Sequence, residues 1–442
     1  MDKCLLALDG IKETMLIHVI LNLEGKINPP RLNQAVQSAQ RAFPIMRTIL
    51  KGRYFRISRE VQEDVKEEVL TVQDFSETGY ANYERCLFDW MNQPLDIWER
   101  FPVRVLLAAK NDLDSSLIFT FHHSATDGLR SLIFVRRVIE SYNDDVACDS
   151  QIQQDIRISR KGDELLEFAH SQRKRVDRYY RKMISSLFRR FFIDAFPFPT
   201  RVFHDRSERS KELNICFNTI SSEQREEIES RSIESGVELN DILLAACYRV
   251  VEEWNTMHGK NSNKIRIMAP VNICPKGFRN VVSNFVSWVS PFTTKEDRTD
   301  PVRLLKKVRS DTICAARDRI AFSLIYFFYV CSFFPLVVMR GMCRYLMISR
   351  THVDSILVTN PGVIWPQIGA EEPAVRNIGS SKIINVTGSA PVVTPMGLSI
   401  CAGVYNKNLN FSLTYRPALF SKDKAQMFLD MYVQEIKDYP VR

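Results

Sequence analysis

The sequence predicts a mixed α/β protein of two domains. Three observations indicate this class: strand-like segments alternate with amphipathic helical segments along the chain, the chain has 442 residues, and its composition is globular, with 45% hydrophobic and 25% charged residues. A chain of this length can bury a large core and exceeds the usual size of one domain. We therefore expect two domains.

The first domain is predicted from patterns that follow one another along residues 1–150. Residues 16–25 favour a strand that ends at a glycine, and Pro29 and Pro30 open a helix that ends at Pro44. Residues 101–107 form a further strand, which we expect to pair with the strand that follows it. A helix then closes the domain near Asn143.

Residues 122–128, HHSATDG, lie between a strand and a helix. The apolar and aromatic residues 117–121 favour a strand buried on both faces, and apolar residues at helical spacing begin near Gly128. Successive side chains of a strand point to opposite faces, so His122 and His123 cannot both enter one cleft. At most one of the two histidines is therefore catalytic.

Two interpretations of the histidine pair remain open on the residues alone. A neutral imidazole takes a proton from a hydroxyl or an amine and returns it later, which suits acyl transfer. Alternatively, both histidines are hydrogen-bonded side chains that close a strand. The aspartate and glycine that follow at fixed spacing, Asp127 and Gly128, favour the first interpretation.

Residues 151–205 are predicted to form a linker with a basic amphipathic segment at 173–191. Such a segment suits contact with anionic lipid, CoA phosphates or an acidic carrier protein, and a solvated helix face is the alternative. Nucleic acid is not an expected partner, because no recognised binding module accompanies the charges.

The second domain is predicted to occupy residues 206–442. It begins with a strand at 213–217, followed by a helix from Ser221 to Gly236 and another helix that starts at Asn240. Residues 265–274 favour a strand, residues 398–415 a hairpin, and the last segment an amphipathic helix.

Residues 320–339 carry no charged side chain and are bracketed by two arginines. Three interpretations stay open for this run: a buried or tunnel-lining helix, a helix that contacts a membrane surface, and a bilayer-spanning helix. A span would place the strands that follow on the wrong side of the bilayer from the histidine segment. The first two interpretations suit a hydrophobic acyl chain.

Composition narrows the functional classes. A net charge of +8 and a pI near 8.9 are compatible with phosphate-bearing ligands, acidic carrier proteins or anionic lipid. Ten scattered cysteines form no CxxC pair and no zinc-type cluster, so we expect free thiols, a cytoplasmic location and no metal site. The start of the chain does not resemble a signal peptide, and no phosphate-binding or dinucleotide-binding glycine motif is present.

The segment HHSATDG resembles the HHxxxDG motif of the condensation-domain-like acyltransferases, the superfamily of chloramphenicol acetyltransferase, peptide-synthetase condensation domains and wax-ester synthases. The resemblance implies two chloramphenicol-acetyltransferase-like α/β sandwich halves that form a V-shaped pseudo-dimer around a central cleft. It also implies that His123 is the base or proton-positioning group, that Asp127 is structural, that Gly128 leaves room for the substrate, and that His122 is the packed partner.

Four further segments resemble the same superfamily in the same order. The turn at Ser283 and Asn284 resembles its "GN" turn, and the segment with Thr359 and Asn360 resembles its "SNxpG" segment. The resemblance makes all three of Asn284, Thr359 and Asn360 candidate substrate-binding residues. Thr359 or Asn360 would donate hydrogen bonds to an oxyanion, whereas an ordinary Asn-Pro-Gly turn is the alternative. The remaining similarity lies at residues 23–48 and 236–246.

One departure from the family pattern concerns Asp127. Many relatives carry an arginine where this chain has Cys274, and that arginine often holds the aspartate of the motif. We therefore expect Asp127 to pair with Arg266 or Arg279, or to be hydrogen-bonded only to backbone groups.

The function implied by the resemblance is acyl transfer from a CoA or carrier-protein thioester to a small alcohol or amine. The apolar run at 320–339 favours a hydrophobic acyl group. His123 would act as general base, with no cofactor beyond the acyl-CoA or acyl carrier protein. We expect a free-standing monomeric acyltransferase with peripheral membrane contact. The alternatives are amide-forming condensation of carrier-bound substrates and a non-catalytic relative that binds an acyl or carrier ligand.

Overall fold

The structure is a computed structural model of the 442-residue chain. It describes residues 2–9, 15–52, 57–63, 69–76, 80–111, 113–144, 185, 197–206, 210–274, 278, 280–317, 321, 331, 333–349, 354–365, 375–393 and 396–440. The predicted basic segment at 173–191 and most of the predicted linker lie outside these residues.

The first sheet contains the predicted strand pair that carries the histidine segment. Its strands are β1 (Leu16–Glu24), β4 (Leu70–Asp74), β5 (Val103–Ala109), β6 (Asp114–His122), β12 (Asn377–Ile378) and β13 (Ser381–Ser389), in the order β12-β13-β1-β6-β5-β4. β5 and β6 pair antiparallel, as expected. Residues 115–122 of β6 are buried, because helices or the second half cover both faces of the sheet.

In the described part of the chain, the helices that accompany this sheet are α1 (Asp2–Asp9), α2 (Pro29–Ala42), α3 (Tyr80–Asn92) and α4 (Gly128–Asn143). α2 begins with Pro29 and Pro30, where prolines fit the first turn. α2 and α4 pack on one face of the sheet in a common core, and α3 packs on the other. A small hairpin of β2 (Thr48–Lys51) and β3 (Ser58–Val61) lies beside them.

The second sheet has the order β10-β8-β11-β14-β15-β7, with β9 paired to β8. The predicted hairpin is present, since β14 and β15 are antiparallel and Asn406 and Lys407 have φ angles of 48° and 68°. The bounds are β7 (Asn214–Ile220), β8 (Lys264–Asn272), β9 (Val286–Val289), β10 (Phe292–Thr294), β11 (Ile356–Thr359), β14 (Leu398–Tyr405) and β15 (Asn408–Tyr415).

The helices of the second half are α5 (Ser222–Glu234), α6 (Leu239–Met257), α7 (Pro301–Arg317), α8 (Leu336–Ser349) and α9 (Lys422–Asp438). Ser221 caps α5 as predicted. α6 begins one residue before the predicted Asn240, because the side chains of Glu238 and Asp241 form a capping box. α5, α6, α7 and α9 contribute to the core on one face of the second sheet, which leaves the other face free to meet the first half.

The expectation of one continuous helix over residues 320–339 is wrong. The chain turns at Phe333 and Phe334, and α8 begins only after Pro335, whose ring disfavours helical conformation in the residue before it. Phe333, Val337 and Val338 are exposed, whereas Leu336 and Met339 are buried in a core cluster, so this part of the run is only half-buried. Among the described residues, no helix is both long and apolar enough to cross a bilayer.

β13 provides a connection between the two halves that the sequence patterns did not indicate. It follows residues of the second sheet in the chain, yet it pairs antiparallel with β1 in the first sheet. It also contacts β14 and β15 of the second sheet. The two sheets are therefore joined at this strand, while the predicted domain limits at residues 150 and 206 stay a prediction.

Candidate active site

A cavity of about 190 Å³ lies between the two sheets. The first half contributes β1, β13 and the residues that follow β6, and the second half contributes β8, β11, β14 and β15. Most of the exposed wall is apolar, and His123, Asp127 and Gly128 line one part of it. Thr359 and Asn360 line another part. The structure thus brings five of the seven predicted site residues to one cavity and leaves His122 and Asn284 outside its lining.

His123 directly follows β6, and its ring is oriented by the turn that it begins. Its Nδ1 lies 3.0 Å from the carbonyl oxygen of Thr126. A carbonyl oxygen only accepts, so Nδ1 carries the proton and donates, which leaves Nε2 as the unprotonated nitrogen. The 3.3 Å approach of the Asn284 amide nitrogen to Nδ1 is then a contact between two donors rather than a hydrogen bond.

The environment of His123 favours a neutral ring. Burial lowers the pKa of His123 below its usual 6.5, although the bond to the Thr126 carbonyl and the charge of Asp127 oppose this shift. A neutral imidazole with a free Nε2 has the protonation state that a general base requires.

Asp127 holds the turn through two backbone donors. It is the N-cap of α4, where Oδ1 accepts from the Arg130 N–H at 3.0 Å. Its Oδ2 accepts from the Phe285 N–H of the second half at 2.7 Å. Burial raises the pKa of Asp127, and the bonds from Phe285 and Arg130 oppose that shift. This carboxyl therefore fastens the motif turn to the other half.

Of the expected partners of Asp127, the backbone groups are the ones that the structure shows. Arg266 instead pairs with the buried carboxylate of Asp354, with 2.5 Å between Nε and Oδ1, so the expectation for Arg266 is wrong. Asp354 comes just before β11, and β11 pairs with β8, which carries Arg266. Arg279 lies outside the described residues. The absence of arginine at Cys274 does not leave Asp127 without hydrogen bonds.

Asn284 reaches across the cleft to the motif. Its Nδ2 donates to the backbone carbonyl of His123 at 2.7 Å, and its Oδ1 accepts from the Val286 N–H at 3.2 Å. Asn284 is therefore placed beside the histidine as a positioning group, whereas the sequence suggested only a substrate contact for it.

His122 is fully buried on the other side of the strand and belongs to a separate network. Its Nδ1 lies 2.8 Å from the Ser124 hydroxyl, and that hydroxyl also receives an N–H from Arg59 at 3.0 Å. The hydroxyl therefore donates to Nδ1, which places the His122 proton on Nε2, 3.5 Å from Oδ2 of Asp9. Burial alone would raise the pKa of Asp9, but His122 and the Met15 N–H outweigh it and lower that pKa.

The candidate oxyanion residues lie at the end of β11. Thr359 and Asn360 both line the cavity. The Asn360 Oδ1 accepts from the Gly362 N–H at 2.9 Å, so this side chain also shapes its own turn. Its amide N–H groups remain the part of the side chain that has donors to offer.

Gly128 is the first residue of α4 and lines the cavity, so a side chain at this position is expected to hinder entry of the substrate. A Cβ placed at Gly128 would meet no atom within 4 Å, so a side chain there would project into open space at the cavity. We expect Gly128→Leu to fold and to lower turnover by about 10- to 100-fold through exclusion of the substrate. Thermal unfolding and steady-state turnover check the two parts.

The matched control for this substitution is Gly341→Leu in α8. A Cβ at Gly341 also meets no atom within 4 Å, and Gly341 does not line the cavity. Equal turnover losses in the two variants would contradict the steric role of Gly128.

Several cavity residues were not expected from the sequence. His18, Thr387 and Asn410 line the cavity from β1, β13 and β15. Burial, followed by the charge of Arg104, lowers the pKa of His18 to about 3, so this ring is neutral. The alternation of residues 381–389 could have revealed β13, but its pairing partner could not be read from a local pattern.

Metal binding has no visible basis in the described part of the chain. No group of three or more histidine, cysteine, aspartate or glutamate side chains is arranged there to hold a metal ion. The nine described cysteines are all free thiols.

The sequence matches the family model of the condensation domain over residues 5–319, which is 315 of the 442 residues. No curated protein matches the chain. The match includes the whole HHSATDG segment and the Ser283 to Phe285 turn that contacts it.

Solved structures show the same fold at low sequence identity. The first condensation domain of the calcium-dependent antibiotic synthetase has a TM-score of 0.69 and 13% identity, with 100% of this chain and 95% of that chain covered. A starter condensation domain of rhizomide synthetase, solved with C8-CoA, has 0.66 and 11%, with 98% and 92% covered. An epimerization domain of tyrocidine synthetase B has 0.61 and 15%, with 99% and 92% covered. The expected fold of two α/β halves around a central cleft is confirmed.

Proposed function

The chain belongs to the condensation-domain family, and we propose that its cleft transfers an acyl group from a thioester to an alcohol or an amine. The observation that carries this proposal is the state of His123. Its Nδ1 proton is held by the Thr126 carbonyl, its pKa is lowered by burial, and it lines a cavity between the two halves. Such a ring is suited to receive a proton at Nε2.

In the proposed reaction, Nε2 of His123 takes the proton from the acceptor hydroxyl or amine as that group attacks the thioester carbonyl. The carbon–sulfur bond breaks after a tetrahedral intermediate, and the proton on Nε2 passes to the departing thiolate. The products are an ester or an amide and a free thiol. No acyl-enzyme is needed, because the acceptor attacks the thioester directly.

Two groups are proposed to support the intermediate. Thr359 and Asn360 carry a hydroxyl and an amide at the cavity wall, where they can donate to the oxyanion. Asp127 and Asn284 keep the His123 backbone in place through their bonds across the cleft. Asp127 accepts hydrogen bonds from two backbone N–H groups, so the lack of an arginine at Cys274 does not leave the motif turn unfastened.

The experiment that tests this function is thiol release from a panel of acyl-CoA and acyl-pantetheine thioesters, each with and without an alcohol or amine. We expect release to depend on the acceptor and the acyl-acceptor product to appear in equal amount. Racemisation of an aminoacyl thioester is measured in the same mixtures, because one similar structure is an epimerization domain. Racemisation without acceptor-dependent release would overturn the proposal.

The pH dependence follows from the lowered pKa of His123. The base must be neutral, and burial disfavours its charged form. We therefore expect kcat/KM to be constant near pH 7 and to fall only at lower pH, with a midpoint below 6.5. A midpoint above 6.5 would contradict a base whose pKa burial lowers.

We further propose that the acyl donor arrives on CoA or on a carrier protein and that the protein acts in the cytoplasm with peripheral membrane contact. The net charge of +8 supports an anionic partner. The exposed Phe333, Phe334, Val337 and Val338 support contact with an apolar surface.

A further inference from the structure

The cavity wall formed by β13 and β15 holds two buried polar atoms whose hydrogen bonds are not satisfied. Asn410 is 4% exposed and Thr387 is 7% exposed, and both line the cavity. Among the described residues, neither Nδ2 of Asn410 nor Oγ1 of Thr387 has a hydrogen-bond partner. Buried polar groups are seldom left in this state, so the pair indicates a binding site for a polar atom.

The direction of the Asn410 side chain follows from its strand. Leu409 and Phe411 of β15 lie in the core of the second half, so Asn410 between them faces the opposite side, toward the cavity. The Thr219 hydroxyl donates to Oδ1 of Asn410 at 3.1 Å. That bond fixes the amide orientation and leaves Nδ2 as the buried donor that has no partner among the described residues.

Apolar side chains also line this cavity. Val19, Val386, Leu357 and Ile364 are among them. An occupant made only of hydrocarbon would suit these residues but would cover Nδ2 and Oγ1 without giving them a partner. An occupant that is mostly hydrocarbon but carries one oxygen beside Nδ2 and Oγ1 suits both the apolar residues and the two unpaired polar atoms.

The strand register gives the position of this pair relative to the motif. Leu16 of β1 is opposite His122, and Ile20 of β1 is opposite Thr387. Four residues along a strand span about 13 Å, and two strand spacings add about 10 Å sideways. Thr387 is thus roughly 15 Å from the motif, a distance of about twelve bonds in an extended chain.

We propose that Asn410 and Thr387 bind a carbonyl or amide oxygen carried by the acyl chain about twelve bonds from the thioester. This inference rests on the proposed function, because it places the reacting carbonyl beside His123. Asn410 Nδ2 donates to that oxygen, and the Thr387 hydroxyl donates a second hydrogen bond. The preferred acyl group is therefore oxygenated at a distance, rather than a plain hydrocarbon.

The test is a binding measurement that needs no turnover. The probes are pantetheine thioethers of equal chain length, one a plain alkyl chain and the others with a single ketone at successive positions. We expect the affinity for the protein to peak when the ketone is about twelve bonds from sulfur and to exceed that of the alkyl probe by about tenfold. Isothermal titration calorimetry gives the dissociation constants.

Variants of similar side-chain shape show whether Asn410 and Thr387 cause the preference for the ketone probe. Asn410→Leu and Thr387→Val are each expected to reduce the preference for the ketone probe to less than about threefold. Thr414→Val is the matched control, because Thr414 is buried on the same face of β15 with an unpaired hydroxyl but does not line the cavity. Thr387→Val tests the inference even where Asn410→Leu does not fold.

Equal affinity for the alkyl and ketone probes, or a preference that survives both substitutions, would overturn the inference while thiol release could still support the proposed function. Loss of binding to every probe would overturn it as well. Failure of acceptor-dependent thiol release with the ketone preference intact would overturn only the catalytic role.

Discussion

The His123→Ala variant is expected to transfer acyl groups about 10²- to 10⁴-fold more slowly than the parent at neutral pH, because general-base catalysis typically contributes a factor of this size. The ring donates its hydrogen bond to the Thr126 carbonyl within its own turn, so its removal leaves the contact of Asp127 with the second half in place. We therefore expect a folded protein with a large defect in kcat.

The measurement is kcat and KM for one thioester and acceptor pair, with thermal unfolding in parallel. His204→Ala is the control, since His204 is a part-exposed histidine whose Nδ1 lies 2.7 Å from the Arg206 carbonyl and which does not line the cavity. Turnover of His123→Ala within about threefold of the parent would refute the assignment of the base.

The Asp127→Ala variant is expected to lose both stability and activity. Two backbone donors, the N–H groups of Arg130 and Phe285, would lose their acceptor, and the second one is at the junction of the two halves. Loss of a helix cap and of a bond that leaves a buried N–H unpaired costs roughly 2 to 4 kcal/mol in the free energy of unfolding. Activity should fall as well, because the turn that orients His123 is no longer fixed.

A substitution at the N-cap of another helix separates the loss of stability from the loss of activity. Ser221→Ala removes the N-cap of α5, whose hydroxyl accepts from the Gln224 N–H, and should cost about 1 kcal/mol with unchanged turnover. Asp127→Asn keeps one acceptor oxygen and should be intermediate. An Asp127→Ala protein that unfolds and turns over like the Ser221→Ala protein would contradict the role of Asp127 at the junction.

The elements that were predicted correctly are those whose patterns are local. The burial of β6, the start of α4 at Gly128 and the turn at Asn406 and Lys407 each follow from a few adjacent residues. The opposite sides of His122 and His123 follow from the alternation of a strand. The same reasoning applies to the pairing of β5 with β6, because neighbours in the chain often pair.

The contacts across the cleft were not predictable in the same way. The partners of Asp127 include the backbone N–H of Phe285, and a backbone group has no signature in the sequence. The pairing of β13 with β1 joins segments that are more than 350 residues apart. Arg266 was a candidate partner for Asp127, but it pairs with Asp354, a residue 88 positions later in the chain.

The charge-free run at 320–339 shows that composition alone does not predict where a helix begins. Its length suggested one apolar helix, yet Pro335 separates the turn at Phe333 from the start of α8. The exposed apolar side chains beside this break could not be recognised from hydrophobicity alone, because the same residues would also suit a buried helix.

The central claim is that the cleft joins an acyl group directly to an acceptor. The most direct measurement is a single turnover with enzyme in excess over an acyl-pantetheine thioester, stopped by acid, with the masses of the small molecules and the intact protein determined together. The account predicts one acyl-acceptor product per thiol released and an unchanged protein mass in the parent, and neither product nor thiol over the same time with His123→Ala. A protein that gains the mass of the acyl group, or thiol release that yields only the free acid, would contradict it.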